Sequence, residues 1–401
     1  MKLFAQHGAL DGQKVGEGLE QGLIDGVIFS PRDITAAKLE QTLDTLAGDH
    51  AVAERLFDPQ FYACFLASGG DARLGNLEED YNYFAPMTRR GLEKESVAND
   101  VLKRALEFQA GLEVSAFIAP NILVPRSLNS IEAVIAKNFI RNAAAACRAL
   151  KIKKPLYATL ALSRDTLLDR QELSDFLDEI TMLDDPPQGF YVLIGASSPD
   201  ARGELGSADV LAAWMLLNHA LKINGFQVIN GYSDLYTPLL GAVGGDAGCT
   251  GWFSNLRTFS LSRFGPSSGG RLPTPRYLSK NLINRITFFE LNQLRERFPA
   301  VLNGLGTDAL YPEGDGSEPQ RNQEVFQTWE ALRALNSSLT GKDIRQNLKR
   351  FLVALDQAEE LYSAINRARF TLDTKSNADH IKPLRDALEV FRRSAEVEPA
   401  A

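Results

Sequence analysis

Eight short apolar runs recur along residues 1–253, and most close on a polar cluster that leads into a helix-like stretch. No feature constrains the fold more. Strands that alternate with helices must lie parallel, because each crossover carries the chain back to the same edge. Strands buried on both faces read as continuous apolar runs, without the alternation of a half-exposed strand. The runs place strands at 2–7, 26–30, 55–58, 114–119, 156–162, 190–194, 227–230 and 249–253. The first and last are the least apolar, because Gln6-His7 and the glycines of 248–251 interrupt them. An open doubly wound sheet produces the same local pattern. Eight strands, and no Gly-x-Gly-x-x-Gly after the first of them, favour a (β/α)8 barrel.

Beyond residue 287 the character changes. Residues 288–298, 323–339, 343–369 and 381–394 are charged and amphipathic at helical spacing, and 304–319 is a Gly/Pro-rich connection. The expected organisation is a barrel over 1–287 and a helical C-terminal region over 288–401. The third strand is followed by a long connection over 63–95, with Gly69-Gly70 and the aromatics Tyr81, Tyr83 and Phe84. A loop of that length serves as a lid or binding loop, or else packs as a small excursion.

Composition excludes several classes. No run of 18 apolar residues occurs, so no membrane span is expected. The first residues lack the apolar stretch of a signal peptide, and Cys64, Cys147 and Cys249 are far apart, so a reducing cytoplasm is the expected compartment. Neither the cysteines nor His7, His50, His219 and His380 show metal-ligand spacing, and no metal or cofactor is expected. Gly-x-Ser-x-Gly, P-loop and His-Glu-x-x-His motifs are absent. The net charge of −8 argues against nonspecific nucleic-acid binding. Residues 254–297 run the other way, with eight basic residues (Arg257, Arg263, Arg271, Arg276, Lys280, Arg285, Arg295, Arg297) against Glu290 and Glu296. That stretch is a candidate anionic footprint, or a set of arginines paired with the barrel's own carboxylates.

In such barrels chemistry sits where the strands' C-terminal ends meet the following loops. This geometry gathers Gln6 and His7; Ser30, Arg32 and Asp33; Asp58 and Gln60; Asn121; Ser163 and Arg164; Ser197; Asn230, Tyr232, Ser233 and Asp234; and Ser254, Asn255 and Arg257. Asp58, between Phe57 and Pro59, is the best single carboxylate, since apolar neighbours raise a carboxyl's pKa. Its alternative role is capping a nearby amide. His7 is a candidate acid or base, or a hydrogen-bonded packing residue. Gly231-Tyr232-Ser233-Asp234 opens a helix where barrels often hold phosphate, with Arg257 as a clamp and the Asp234 charge opposing it. Gln60, Asn121, Asn230 and Asn255 are candidate substrate contacts. The glycines of 241–251 fit tight turns at the opposite face, and 266–270 forms a loop on the site's side.

Three segments resemble the tRNA-guanine transglycosylase family. Phe57-Asp58-Pro59-Gln60-Phe61 is similar to that family's strand-end Asp-Ser-Gly-Gly-Phe-Gln, whose aspartate contacts the exchanged base. Residues 96–119 resemble its helix-then-strand segment, and 229–257 resemble the stretch leading to its nucleophile strand and a following arginine. The resemblance spans about half of the chain and implies a barrel that binds a nucleobase, nucleotide or nucleic acid, with glycosidic or ribosyl transfer as its chemistry. The chain departs from the family in Pro59-Gln60, in lacking a carboxylate near Cys249 and Thr250, and in lacking the zinc ligands. Two other functions remain open: a noncatalytic assembly component that uses its C-terminal helices as an interface, and an enzyme acting on a small phosphorylated metabolite.

Overall fold

In a computed structural model of the chain, residues 1–67, 72–199, 202–266, 274–313 and 317–398 are described, Arg202 by its backbone only. Gly69-Gly70, Arg271 and residues 267–270 of the loop expected on the site's side lie outside them.

The apolar runs form β1 (Lys2–Gln6), β2 (Gly26–Phe29), β3 (Glu54–Phe57), β4 (Phe117–Ala119), β5 (Leu123–Val124), β6 (Leu156–Ser163), β7 (Gly189–Gly195), β8 (Gln227–Asn230) and β9 (Ala247–Thr250). All pair in parallel in the order β3-β2-β1-β9-β8-β7-β6-β4. β4 and β5 both pair with β6 and form one stave, interrupted at Pro120-Asn121-Ile122. The barrel closes between β3 and β4 through Ser115. Its N–H donates to the Arg55 carbonyl at 2.8 Å, and its hydroxyl accepts the Arg55 N–H at 2.9 Å. This is the expected (β/α)8 barrel with a C-terminal helical appendage.

The differences from the sequence expectation have local causes. The fourth strand starts at Phe117, not at 114, because Ser115 serves the seam. The last strand ends at Thr250, not at 253, and its glycines mark close packing. A Cβ on Gly248 would lie 2.4 Å from Thr237, and one on Gly251 2.5 Å from Leu256. An antiparallel hairpin, β10 (Arg276–Ser279) with β11 (Asn284–Thr287), was not expected. Its short runs carry arginine and asparagine, which hide a strand signal.

The long connection after β3 is packed. Leu74, Leu77, Tyr81, Tyr83, Phe84 and Leu92 are buried in it. Tyr81 stacks on Phe57 with ring centroids 5.8 Å apart, and its hydroxyl donates to the Ile34 carbonyl at 2.9 Å. Helix Arg321–Leu339 inserts Val325, Phe326, Trp329 and Leu332 into the barrel's own hydrophobic core. Helices Ile344–Arg367 and Ile381–Ser394 share a second core with Tyr277, Ile283 and Ile286 of the hairpin region.

Candidate functional site

Strand register decides which side chains enter the barrel. Successive residues point to opposite faces, and in-register neighbours on parallel strands share a face. Tyr191 aligns with Ile229, Ile229 with Ala247 and Ala247 with Lys2; four residues on, Gln6 aligns with Ile28 and Ile28 with Leu56, two residues before Asp58. Tyr191 and Asp58 therefore both point inward, and their side chains meet there.

Asp58 is fully buried just beyond β3. Its Oδ1 accepts the Gln60 N–H at 3.0 Å. Its Oδ2 accepts the Tyr62 hydroxyl at 2.8 Å and lies 3.3 Å from the Tyr191 hydroxyl. Tyr191 also reaches the Gln6 carboxamide oxygen at 3.4 Å. Tyr62 bonds in turn to Tyr232, whose hydroxyl accepts from Arg263 Nη1 at 2.6 Å. A continuous polar chain thus runs from Arg263 through Tyr232 and Tyr62 to Asp58, Tyr191 and Gln6. Burial lifts the Asp58 carboxyl to about 6, against the pull of the Gln60, Tyr62 and Tyr191 hydrogen bonds and the Arg263 charge. Burial and the Asp58 charge also hold the Tyr62 and Tyr191 phenols above their ordinary value, and burial pushes Tyr232 up to about 12.

Two of these residues have left-handed backbones, Gln60 with φ 52° and Tyr232 with φ 54°. Side chains rarely adopt that region unless their surroundings hold them there. Gln60 is fixed by donating to Ser30 Oγ at 2.7 Å and accepting the Arg32 N–H at 3.3 Å. Gly231 is required by close approach, since a Cβ there would lie 2.8 Å from the Tyr191 hydroxyl.

Residues 253–265 cross over this cluster. Phe259 lies edge-on to Tyr62 with centroids 5.0 Å apart, and Phe264 at 6.2 Å. Arg263 is buried and pairs with Asp33 at 2.7 Å. Although burial opposes its charge, Tyr232 and Asp33 hold its guanidinium above the ordinary value. Among the described residues, Gln6 Nε2, His7 Nδ1 and Arg263 Nε are buried without a hydrogen-bond partner. Buried polar atoms seldom remain so, and each calls for a ligand or water. His7 packs between Phe29 and Trp252, with centroids at 5.0 and 6.0 Å. Burial pushes its imidazole down to about 4, with Arg263 adding and Asp33 opposing, so His7 is neutral at physiological pH.

Other expected site residues turn to structural work. Asn121 donates to the Thr159 carbonyl at 2.8 Å and the Ala136 carbonyl at 3.3 Å. Asn230 points at helix Ala208–Ile223, accepting from Trp214 Nε1 at 2.9 Å and exchanging bonds with Asn218. Ser233 Oγ donates to the Asn230 carbonyl at 3.0 Å and accepts the Cys249 N–H at 3.1 Å. Asn255 is half-buried on the covering segment, with its carboxamide oxygen unpaired among the described residues. Arg257 turns to neighbouring segments of the chain. Its Nε donates to the Gly251 carbonyl at 2.9 Å and its guanidinium faces Glu324 at 3.6 Å. Burial, then the neighbouring Arg285 charge, lowers its pKa.

In the segment 231–234, read from the sequence as a phosphate site, the Asp234 carboxylate is held by the chain itself. Arg285 donates twice to Asp234, at 2.7 Å each, and Thr250 donates to the same carboxylate at 2.6 Å. Four more described residues of the stretch meet neighbouring segments: Arg263 pairs with Asp33, Arg276 with Asp373 and Arg295 with Glu313, and Arg297 lies over Phe298 and Phe370. These contacts tie segments together.

Among the described residues no group of three His, Cys, Asp or Glu side chains is placed to hold a metal ion, and no helix is long and apolar enough to cross a membrane. Tyr62, Tyr191 and Arg263 were missed as site residues. Tyr191 had a signal, a hydroxyl in the middle of a barrel-strand run; Arg263 had none beyond its charge.

No family model and no curated protein matches the chain. Among solved structures, dihydrodipicolinate synthase from Oceanobacillus iheyensis aligns with 99% of this chain and 97% of its own, at 10% identity and a TM-score of 0.21. So loose a superposition says nothing of shared activity, and none of these comparisons supports the transglycosylase resemblance.

Proposed function

We propose that the barrel mouth binds a small, neutral, hydrogen-bonding ring of the nucleobase kind, which Asp58 reads or protonates. Any chemistry is then acid–base work by Asp58, with glycosidic or ribosyl transfer as the first reaction to test. The observation that carries this reading is the buried Asp58 carboxyl, held by Gln60, Tyr62 and Tyr191 beside the unpaired Gln6 amide. A carboxyl whose pKa lies near 6 both gives and takes a proton near neutrality. A free base is the first ligand to test, because Arg257, Arg263 and Arg285 pair with Glu324, Asp33 and Asp234.

Calorimetric titration tests this with free purine and pyrimidine bases, their nucleosides and their nucleotides. The expected result is that a base binds, that its nucleotide binds no tighter, and that Asp58→Asn weakens binding at least tenfold. If no base binds, or if Asp58→Asn binds as the unsubstituted chain does, the proposal fails. The covered mouth favours a second reading, a noncatalytic assembly component. On that reading every titration is flat, and substitutions on the outer faces of the C-terminal helices abolish assembly.

A further inference from the structure

The cluster around Asp58 is sealed: Gln6, Asp58, Tyr62, Tyr191, Tyr232 and Arg263 are all at most 5% exposed. The 253–265 segment crosses over it, and two backbone hydrogen bonds and one side chain tie that segment to distant parts of the barrel. The Phe259 carbonyl accepts the Ala196 N–H at 2.9 Å, at the end of β7. The Phe264 carbonyl accepts the Arg73 N–H at 2.6 Å, in the long connection after β3. Between these two, Arg263 reaches Asp33 at 2.7 Å, Tyr232 at 2.6 Å and Ser30 at 3.4 Å. One side chain therefore fastens the segment to the ends of β2 and β8.

We propose that Arg263 is a latch: its pair with Asp33 holds the 253–265 segment shut over Asp58, and ligand enters only when that pair opens locally, with the rest of the barrel folded. The proposal rests on reading Asp58 as the ligand-binding group beneath the segment. The chemistry suits a latch. A buried guanidinium and carboxylate hold each other strongly when both are present: removing the Asp33 charge leaves Arg263 buried without a carboxylate, whereas Asp33 also pairs with Arg32 at 2.8 Å and keeps that partner when Arg263 is changed. The segment is also held by two backbone hydrogen bonds, by Arg257 on the Gly251 carbonyl and Glu324, and by the buried side chains of Leu256, Phe259 and Phe264, so opening is a rare local event that the Arg263 pair makes rarer. Arg263 also ends the polar chain that leads to Asp58, so opening the latch removes a cation and a donor from the Tyr232–Tyr62–Asp58 relay.

Cys249 supplies a probe that needs no ligand. In β9 it aligns with Phe4, two residues before the inward-pointing Gln6, and its thiol lies close enough to Asp58 and Tyr191 to feel their charge. It is fully buried, as is Cys147 on the outer helix Ile131–Ala149 to within 7%. A small thiol reagent, read out by peptide mass spectrometry, reports opening of the segment at Cys249 and loss of outer packing at Cys147. Asp33→Asn and, separately, Arg263→Lys are expected to speed Cys249 labelling at least tenfold and leave the Cys147 rate unchanged. In the unsubstituted protein Cys249 should label by a route nearly independent of urea below the unfolding transition, whereas Cys147 labelling rises steeply with urea. The latch is refuted if both folded variants leave the Cys249 rate unchanged, or if Cys249 follows Cys147 at every urea concentration. The second criterion stands even if neither variant folds. A flat base titration with a fast, local Cys249 opening sinks the ligand assignment and spares the latch.

Discussion

Replacing Asp58 with asparagine should make the protein more stable at pH 8, although it removes the proposed ligand contact. The carboxyl, ordinarily near 3.8, stands near 6 in this fold because burial penalises its charge. A tenfold change in a proton equilibrium is worth ~1.4 kcal/mol, so the ionised Asp58 costs the fold about 3 kcal/mol above pH 7. The sign follows from the raised pKa. The cost is absent below pH 4, grows as pH rises between the two pKa values and levels off once Asp58 is ionised in the folded state. Asparagine mimics the neutral acid: its oxygen keeps the Gln60 N–H, and its amide donates toward Tyr62 or Tyr191. The expected gain is about 3 kcal/mol at pH 8 and about half that at pH 5. At ~2 °C per kcal/mol for a chain of this size, melting rises by about 6 °C at pH 8. The assay is thermal or urea unfolding of both proteins at pH 5, 6, 7 and 8. An asparagine variant that is less stable at pH 8, or a stability difference that does not grow with pH, would refute the reasoning. Such a gain in stability with loss of binding is the usual trade at a working site.

Arg285→Ala leaves Asp234 buried against Thr250 without its bidentate partner, and should cost about 3–5 kcal/mol in urea unfolding; a loss under 1 kcal/mol would show that the pair is not structural. Ending the chain after residue 316 removes Trp329, which packs against Gly18 inside the barrel's core, and the Glu324 partner of Arg257. That truncation should give an insoluble or non-cooperatively melting product, and a truncated barrel that melts sharply would overturn the expectation. Gly231→Ala places a methyl 2.4 Å from Leu193 and 2.8 Å from the Tyr191 hydroxyl. It should cost about 1–3 kcal/mol by overpacking and weaken base binding without touching Asp58; unchanged melting and titration would contradict the close approach.

Much of the frame was legible in the sequence, because the barrel is written in local chemistry. Apolar runs of strand length, alternating with helical periodicity and closed by proline or capping residues, specify parallel staves whichever partner each one meets. The same logic put Asp58, Gln60 and Tyr232 at strand ends on one mouth. The orientation of a strand-end side chain, in contrast, depends on register parity. A shift of one residue exchanges the inward Asp58 for the outward Phe57, which packs on Tyr81 and Phe108. Asn230 and Tyr191 show the result: the residue expected in the site faces helix Ala208–Ile223, and the one read as core reaches Asp58. The fate of the basic stretch was likewise beyond a linear reading. Arg263 meets Asp33 across 230 residues and Arg285 meets Asp234 across 51, and charges so far apart in sequence find each other only through the packed tertiary structure. The sequence alone determined eight parallel staves alternating with helices, and at which end their polar residues gather; closure into a barrel came from the Ser115–Arg55 seam. Tertiary structure decided which of them face one another, because that depends on register and on side chains brought from distant segments.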